Sequence, residues 1–384
     1  MNERPLKIAF AHMFTLRTPR GIERYVINAA NALARQGHEV TLIAGRCPQS
    51  LTRGWIDSRV RVREIFHHNW HKLSFIPAFI HEFLTGNYDV VNVGIARGEG
   101  YAAGMAYKLR KFRFNIIFHY PYEQHEKHFN AFKRFGTVKA AGEIIGVSEY
   151  VAAGIKKCFG RPAHVVPNGV DASQFRPDPQ RRAELRDRLN IPEQAPVLLT
   201  VSALQGRKGI GKVLEAVSEL KKTLTDLRYI VIGDGNEKDR DVFFSTVRDL
   251  GLESCVLFPG NQSNVAPYYN AADLFVFLPE FEAFGIVAIE AMASQLPIVV
   301  PRGSAFPEIL QSGGGVMVDP DSPREVSRAI ARILNDRAGM LRLGEEGRAA
   351  VLKRYAWDKV AEGLLDIFQR QLRRSSPGPA GAGT

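Results

Sequence analysis

The chain has 384 residues, of which 45% are hydrophobic and 24% are charged, and its formal net charge is +11. At roughly 150 residues per domain this length predicts two to three globular domains, and the composition excludes a disordered chain, collagen or a coiled coil. No apolar run approaches the ~18 residues that cross a bilayer, and the N-terminal segment lacks the apolar core of a signal peptide.

The first half of the chain alternates short β-branched runs with segments of helical period. Continuous apolar strands separated by helices are typical of a parallel sheet covered on both faces. Strands are predicted over Lys7–Ala11, Val40–Ala44, Asp89–Val93, Asn115–His119 and Glu143–Val147, with a helix over Gly21–Gln36.

A basic and aromatic stretch lies in this half, downstream of an apolar, aromatic segment at 67–84. Its cations and phenylalanines are Lys108, Arg110, Lys111, Arg113, Lys127, Lys133, Arg134 and Lys139, and Phe112, Phe114, Phe129, Phe132 and Phe135. Rings beside cations suit an anionic membrane surface, and they equally suit a solvated face over core aromatics. Both interpretations stay open. No RNA- or DNA-binding motif accompanies the charge, so nucleic acid is not an expected partner.

The alternating pattern restarts after a stretch rich in Pro and Arg, Phe175–Pro196. The predicted strands are Val197–Ser202, Tyr229–Gly233, Cys255–Phe258, Leu274–Leu278, Ile298–Pro301 and Val316–Val318. Two such series predict an α/β protein of two tandem Rossmann-like domains facing across a cleft, with ligand at the carboxyl ends of the strands. We place the N-terminal domain at 1–175, the C-terminal domain at 176–360, a helix crossing back to the first domain at 361–374, and a disordered tail at 375–384.

The segment Leu278–Val299 carries the strongest chemical signal. A predicted strand ends at Pro279, a loop holds Glu282, and Gly285 opens a helix that holds Glu290. A helix start preceded by glycine offers unpaired N–H groups to a phosphate. If the stretch were all helix, the two glutamates would be roughly 12 Å apart at 1.5 Å per residue, about the distance from a hexose across a pyrophosphate to a ribose. Solvated glutamates at a helix start are the plain alternative.

This segment resembles the E-x7-E signature of retaining glycosyltransferases of family 4, which have the GT-B fold. The resemblance extends in order along nearly the whole chain. Further matching segments are residues 20–24 and 33–45, VSEYV at 147–151, VPNGVD at 166–171, VSALQGRKG at 201–209, VIGDG at 231–235, VLFPG at 256–260, YYNAADLFVFLPE at 268–280, and FPEIL with Glu308.

The resemblance implies a role for each matching residue. Glu290 would bind the ribose of the donor and Glu282 would lie beside its sugar, while Lys208 would neutralise the pyrophosphate. The backbone N–H groups of Phe284, Gly285 and Ile286 would meet the distal phosphate, and Gly21 would let the N-terminal loop approach it. Asn261 would lie beside the base, and His119 near the reacting sugar.

Three departures from the family pattern concern the phosphate site and one helix end. Ala203 stands where the family usually has an arginine, so one cation is missing unless Arg207 or Arg20 replaces it. Arg20 itself stands where the first glycine of the N-terminal pair is usual. Gln295 replaces a common glycine after the E-x7-E helix.

Two other classes compete with this interpretation. Residues 206–212 fit the G-x-x-x-x-G-K of a P-loop NTPase, but Val213 lacks the hydroxyl that holds Mg²⁺ there. Another GT-B enzyme, a sugar-nucleotide 2-epimerase or a phosphorylase, is the nearer alternative. The cysteines Cys47, Cys158 and Cys255 are far apart, and the histidines at 67, 68 and 71 lack matching carboxylates, so we predict no metal site.

The function that the resemblance implies is a hexosyltransferase that moves a sugar from a nucleotide-diphosphate sugar to a hydroxyl acceptor with retention of configuration. Cell-surface polysaccharide, lipopolysaccharide or glycolipid synthesis is the expected setting, with a lipid-linked acceptor among the candidates. Lys208, Glu282 and His119 are the expected catalytic residues, with no cofactor and no required metal. We expect a cytoplasmic protein, and the inner face of the membrane is a candidate partner.

Overall fold

The computed structural model describes residues 4–16, 21–47, 50, 52–67, 75–94, 98–120, 126 and 136–374. Within these ranges the chain forms two compact units. The first runs to Gly169 and resumes at Trp357, and the second is Val170–Ala356. The predicted divisions at 175/176 and 360/361 lie a few residues beyond these points. The tail at 375–384 lies outside the described residues.

The first unit is built on a parallel sheet with strand order β3-β2-β1-β4-β5-β6-β7. The strands are β1 (Lys7–Ala11), β2 (Glu39–Arg46), β3 (Arg61–His67), β4 (Val90–Gly94), β5 (Phe114–Phe118), β6 (Ile144–Gly146) and β7 (His164–Val165). Its helices are α1 (Gly21–Arg35), α2 (Phe75–Thr85), α3 (Gly98–Leu109), α4 (Thr137–Ala140), α5 (Glu149–Phe159) and α14 (Trp357–Arg374). Central strand β5 is buried at every position, as its apolar run predicts.

The second unit repeats this architecture with strand order β10-β9-β8-β11-β12-β13. The strands are β8 (Val197–Val201), β9 (Arg228–Ile232), β10 (Val256–Gly260), β11 (Leu274–Val276), β12 (Ile298–Pro301) and β13 (Gly315–Val318). Its helices are α6 (Pro179–Arg188), α7 (Ile210–Leu220), α8 (Glu237–Asp249), α9 (Ala266–Ala271), α10 (Ile286–Ala293), α11 (Phe306–Ile309), α12 (Pro323–Asn335) and α13 (Arg337–Arg354). The prediction of two Rossmann-like α/β domains is therefore confirmed.

Two strands of the first sheet were not predicted from the sequence. β3 pairs only with β2 at the sheet edge, and charged Arg61, Arg63 and Glu64 interrupt its apolar residues. β7 is two residues long and pairs with β6 at the opposite edge. Edge strands are half solvated, so neither shows the continuous apolar run that marks a central parallel strand.

The C-terminal helix α14 packs on the first unit because one of its faces is apolar. Val360, Leu364 and Phe368 lie along that face and are at most 1% exposed. At its start, the Trp357 ring lies so close to Gly169 that a Cβ there would come within 2.4 Å of it. The helix thus completes the first unit after the chain has passed through the second.

The aromatic residues upstream of the basic stretch form a packed cluster. Phe75, Phe79 and Phe83 line the inner face of α2 and are at most 7% exposed. The Phe66 and Phe79 ring centroids are 5.6 Å apart, and those of Phe83 and Phe112 are 5.8 Å apart. The described aromatic residues of the segment at 67–84 therefore pack in the core, as the core-aromatic interpretation predicts. Residues 68–74, 121–125 and 127–135 lie outside the described residues.

Candidate active site

Except for Asn261, the predicted donor residues of the second unit follow strands β8 and β11, which are neighbours in its sheet. The strand order reverses between these two strands, so their carboxyl ends flank the crevice in which α/β sheets bind ligands. Two contacts hold the loops after them together. The Glu280 amide donates to the Arg207 carbonyl at 3.0 Å. Gly209, with φ +72°, lies so close to Leu278 that a Cβ would come within 1.9 Å of its carbonyl oxygen.

Lys208 and Glu282 meet across these two loops. The Lys208 Nζ donates to Glu282 Oε2 at 2.8 Å, and the two side chains are 16% and 21% exposed. The same ammonium lies 5.4 Å from the centroid of the Phe277 ring, a position in which the ring face attracts a cation. The structure therefore holds a partly buried cation beside a carboxylate at the carboxyl edge of the sheet.

The loop that carries Glu282 has a second support that the sequence interpretation missed. The Glu282 amide donates to the Ser304 Oγ at 3.1 Å. Ser304 follows strand β12 and has φ +58°, a strained conformation for a residue other than glycine. No local pattern distinguishes this serine from an ordinary loop residue, because its partner is remote in sequence.

Helix α10 begins directly after Gly285, whose φ is +95°. The Gly285 carbonyl accepts from the Ala288 amide at 2.9 Å and so starts the helical turn. Phe284 is 2% exposed and packs edge-on against Tyr355, with ring centroids 5.5 Å apart. The side chain thus anchors the loop, and the backbone of Phe284, Gly285 and Ile286 forms the amino end of the helix. Because the helix starts only at Ile286, the all-helical 12 Å estimate for the two glutamates does not apply.

Glu290 lies one turn further along α10 and is only 4% exposed. The Tyr269 hydroxyl lies 3.0 Å from its Oε2 and 3.2 Å from the Val287 carbonyl oxygen. Tyr269 comes from α9 and was not singled out from the sequence, although it belongs to the 268–280 segment. Glu290 is therefore a buried, hydrogen-bonded carboxylate rather than a solvated helix-start residue.

The remaining predicted donor residues of this unit lie at the same edge of the sheet or near it. Arg207 is partly buried, with its guanidinium 5.8 Å from the centroid of the Phe281 ring. Asn261 is exposed and follows the edge strand β10. Ala203, the position at which the family's arginine is missing, lies two residues after β8 and is partly buried.

The predicted residues of the first unit are Gly21 and His119. Gly21 is the first residue of α1, and Arg20 lies outside the described residues. His119 follows β5, and its ring packs edge-on against Tyr25 with centroids 4.7 Å apart. Burial lowers the pKa of His119 to about 3, and the electrostatic interaction with His12 contributes a smaller part of this shift. His119 is thus a neutral imidazole at physiological pH.

The P-loop interpretation fails on the geometry of residues 206–212. Gly206–Lys208 forms a short 3-10 turn rather than a phosphate-cradling loop. The Lys212 Nζ pairs with Asp321 Oδ1 at 2.6 Å on the outside of α7, and Asp321 is 78% exposed. Lys212, which would contact the nucleotide phosphates in a P-loop, therefore forms an ion pair with Asp321 instead.

Among the described residues, no group of three or more His, Cys, Asp or Glu side chains is placed to hold a metal ion. His67 is the last residue of β3, while the other two residues of the histidine cluster lie outside the described ranges. Across those ranges no helix combines the length and the apolar character that a membrane span requires.

Two family models match consecutive parts of the chain. The model described as Glycosyltransferase Family 4 matches residues 19–174, and the model described as Glycosyl transferases group 1 matches residues 181–350. Between them they span both units with only a short break. The chain belongs to glycosyltransferase family 4.

Two curated relatives are similar to parts or most of this chain. A GDP-mannose-dependent alpha-(1-6)-phosphatidylinositol monomannoside mannosyltransferase of Mycobacterium tuberculosis is 31% identical over 58% of this chain and 60% of its own length. The chain thus spans less than two thirds of that relative. A D-inositol 3-phosphate glycosyltransferase of Xylanimonas cellulosilytica is 27% identical over 92% of both chains.

Among solved structures, sucrose-phosphate synthase from Thermosynechococcus elongatus is similar to this chain with a TM-score of 0.81. The match covers 96% of this chain and 99% of that one at 22% identity. The likeness shows the fold, and the predicted GT-B class is confirmed.

Proposed function

We propose that this family 4 protein transfers a sugar from a nucleotide-diphosphate sugar to a hydroxyl acceptor with retention of anomeric configuration. The observation that carries the proposal is the 2.8 Å contact between Lys208 and Glu282, made just before the Gly285 start of α10, the helix that holds the buried Glu290. A cation, a helix amino end and a carboxylate in this order suit a diphosphate followed by a ribose.

The charges account for the chemical step. As the glycosidic bond breaks, negative charge grows on the departing diphosphate. Lys208 and the N–H groups at the start of α10 are held in place before the reaction, so they stabilise that charge without reorganisation. Glu282, which pairs with Lys208, is proposed to lie beside the donor sugar and to accept hydrogen bonds from its hydroxyls.

Arg207 is the residue we propose for the cation missing at Ala203. It precedes Lys208 in the same turn, and its carbonyl is held by the Glu280 amide at 3.0 Å. Its guanidinium lies over the Phe281 ring, a weakly held position from which a long side chain can turn toward a phosphate. In the same proposal the backbone near Asn261 meets the base.

No side chain of the second unit is assigned as a base. A leaving diphosphate oxygen on the face from which the acceptor attacks can take the acceptor proton, which is consistent with retention. His119 of the first unit is proposed to hydrogen-bond the reacting sugar as a neutral imidazole, since its pKa of about 3 keeps it uncharged. Gly21 at the start of α1 is proposed to let the backbone of its loop approach the phosphate.

The names of two relatives support a proposal for the acceptor class. Their names specify phosphatidylinositol mannoside and inositol 3-phosphate as substrates. We propose a hydroxyl of a phosphate-bearing polyol or of a lipid-linked sugar, and the net charge of +11 is consistent with such anionic partners.

We also propose that the protein binds an anionic membrane surface, and only the exposed cations of the first unit support this part of the proposal. Lys108, Arg110, Lys111, Arg113 and Lys139 are exposed on the first unit, and each cation near an anionic surface contributes about 1 kcal/mol. Co-sedimentation with phosphatidylglycerol vesicles at low salt, lost at high salt and absent with phosphatidylcholine, is expected. Equal partitioning onto both vesicle types would contradict it.

The decisive experiment is a panel of UDP- and GDP-sugars with and without candidate acceptors, scored by nucleoside diphosphate release and by the anomeric configuration of the product. Acceptor-dependent release with retention is expected, undiminished by excess EDTA. Conversion of the donor to its epimer without net nucleotide release would identify an epimerase instead, and strict dependence on inorganic phosphate would identify a phosphorylase. Complete loss in EDTA that Mg²⁺ or Mn²⁺ restores would refute the metal-free mechanism.

A further inference from the structure

Tyr269 contacts the buried carboxylate that we assign to the donor ribose. Its side chain is 1% exposed, and its hydroxyl lies 3.0 Å from Glu290 Oε2 and 3.2 Å from the Val287 carbonyl oxygen. A tyrosine hydroxyl has one proton to donate. A carboxylate is the stronger acceptor, since hydrogen bonds to a charged group are shorter and roughly twice as strong as neutral ones. The proton therefore goes to Glu290.

The Tyr269 ring is held on two sides, so its hydroxyl has a fixed position. Its ring centroid is 5.7 Å from that of Phe175, with an interplanar angle of 80°, and 5.8 Å from that of Phe275. The edge-on pair with Phe175 has a favourable geometry for aromatic rings, and the Phe275 ring packs against Tyr269 at a tilt of 41°. Phe275 belongs to the central strand β11, so the ring is anchored to the sheet itself.

A fixed hydrogen bond to Glu290 has a consequence for the ligand. The terminal torsion of a glutamate is broad, and a carboxylate with no firm partner takes many orientations. The two vicinal hydroxyls of a ribose are best bound by a carboxylate whose plane is already set, because no ordering cost then opposes binding. A 2′-deoxyribose lacks one of those hydroxyls, so the pre-oriented carboxylate contributes less to its binding free energy.

We propose that Tyr269 is a positioning residue that sets the plane of the Glu290 carboxylate and so determines selectivity for ribonucleotide over 2′-deoxyribonucleotide donors. This inference rests on the proposed function, in which Glu290 binds the ribose. In the sequence one strand, β11, and the loop after it separate the two residues, and the packing of α9 against the sheet brings them together.

The test compares the dissociation constants of UDP, 2′-dUDP, GDP and 2′-dGDP by calorimetry on the full chain. In the wild type, loss of one hydrogen bond to a charged group makes the deoxynucleotide bind about 10- to 150-fold more weakly. Tyr269→Phe keeps the ring and removes only the hydroxyl. It should weaken ribonucleotide binding about three- to tenfold. It should also reduce the ribo/deoxy ratio, defined as the affinity for the ribonucleotide divided by the affinity for the deoxynucleotide, at least about threefold.

Tyr229→Phe is the matched control. Tyr229 is also fully buried, and its hydroxyl bonds to the Thr200 Oγ1 at 2.8 Å instead of to a carboxylate. This variant loses a buried hydroxyl contact of the same kind, so it should lower the thermal stability similarly and leave the ribo/deoxy ratio at the wild-type value. The ratio comes from two titrations of one preparation and therefore does not depend on the folded fraction.

Glu290→Ala separates failure of this inference from failure of the proposed function. If Glu290→Ala abolishes selectivity while Tyr269→Phe keeps the wild-type ratio, or weakens all four ligands equally, the positioning role is wrong and the ribose assignment stands. If Glu290→Ala itself leaves affinity and ratio unchanged, the ribose assignment fails. The double variant Tyr269→Phe/Glu290→Ala should bind like Glu290→Ala alone, and a further loss of nucleotide affinity in it would contradict the inference.

Discussion

Replacement of Lys208 by alanine tests whether this cation acts on the departing diphosphate. Negative charge on the leaving group is greatest in the transition state, so the loss should appear mainly in kcat. Removal of one donor aimed at a developing oxyanion typically costs about 100- to 1000-fold in kcat. We expect a loss in this range for Lys208→Ala, with a change in the donor KM below about tenfold.

The change in the donor KM of Lys208→Ala has a separate origin. Lys208→Ala leaves the Glu282 carboxylate, 21% exposed, without the cation that lies 2.8 Å from it. The unpaired carboxylate then repels the diphosphate. In the double variant Lys208→Ala/Glu282→Gln this repulsion is absent, so the donor KM should return toward the wild-type value while kcat stays low.

Lys212→Ala is the control, because Lys212 lies in the next helix and pairs with Asp321. That pair is solvent-accessible, with side chains 29% and 78% exposed, and such pairs contribute about 0–1 kcal/mol to stability. Initial rates of nucleoside diphosphate release should stay within about twofold of the wild type. A Lys212→Ala loss as large as that of Lys208→Ala, or a Lys208→Ala defect confined to KM, would refute the leaving-group assignment.

Three further predictions concern single residues. Glu282→Gln should bind free UDP or GDP more tightly and transfer sugar more slowly, because it removes a negative charge beside the diphosphate and a hydrogen-bond acceptor beside the sugar. Calorimetry measures the nucleotide affinity and initial rates measure the transfer. If affinity and rate both rise or both fall, the assignment is contradicted. The pKa of His119 is lowered to about 3, so the unfolded chain binds more protons between that value and about 6.5. Stability should fall as the pH is lowered through this window, and the fall should be smaller in His119→Asn; identical melting profiles from pH 7 to 4 would disprove it. Gln295 lies just after α10 and has φ +63°. This left-handed conformation costs about 1–2 kcal/mol in a residue other than glycine. Glycine removes that strain, and the larger conformational entropy that glycine loses on folding offsets only part of the gain. Gln295→Gly should therefore raise the melting temperature by about 1–3 °C, whereas an unchanged or lower value would show that the strain is absorbed elsewhere.

The sequence by itself determined the architecture and the family. Apolar runs alternating with helical segments are a local property, so each central strand appears in the pattern whatever it packs against. The glycines at the proposed phosphate site are equally local, since Gly209 and Gly285 both adopt positive φ that other residues reach only with strain. Both features can be recognised without knowing which segments become neighbours.

Tertiary structure alone decided the interactions between segments. Lys208 meets Glu282, Ser304 holds the Glu282 loop, and Tyr269 holds Glu290, in each case through strands or helices that pack side by side. It also decided that the phenylalanines of α2 form core instead of a surface, although their spacing fits both. A helical stripe of aromatic side chains specifies that one face is apolar. Whether that face is covered by the rest of the fold depends on contacts distant in sequence, which no local pattern contains.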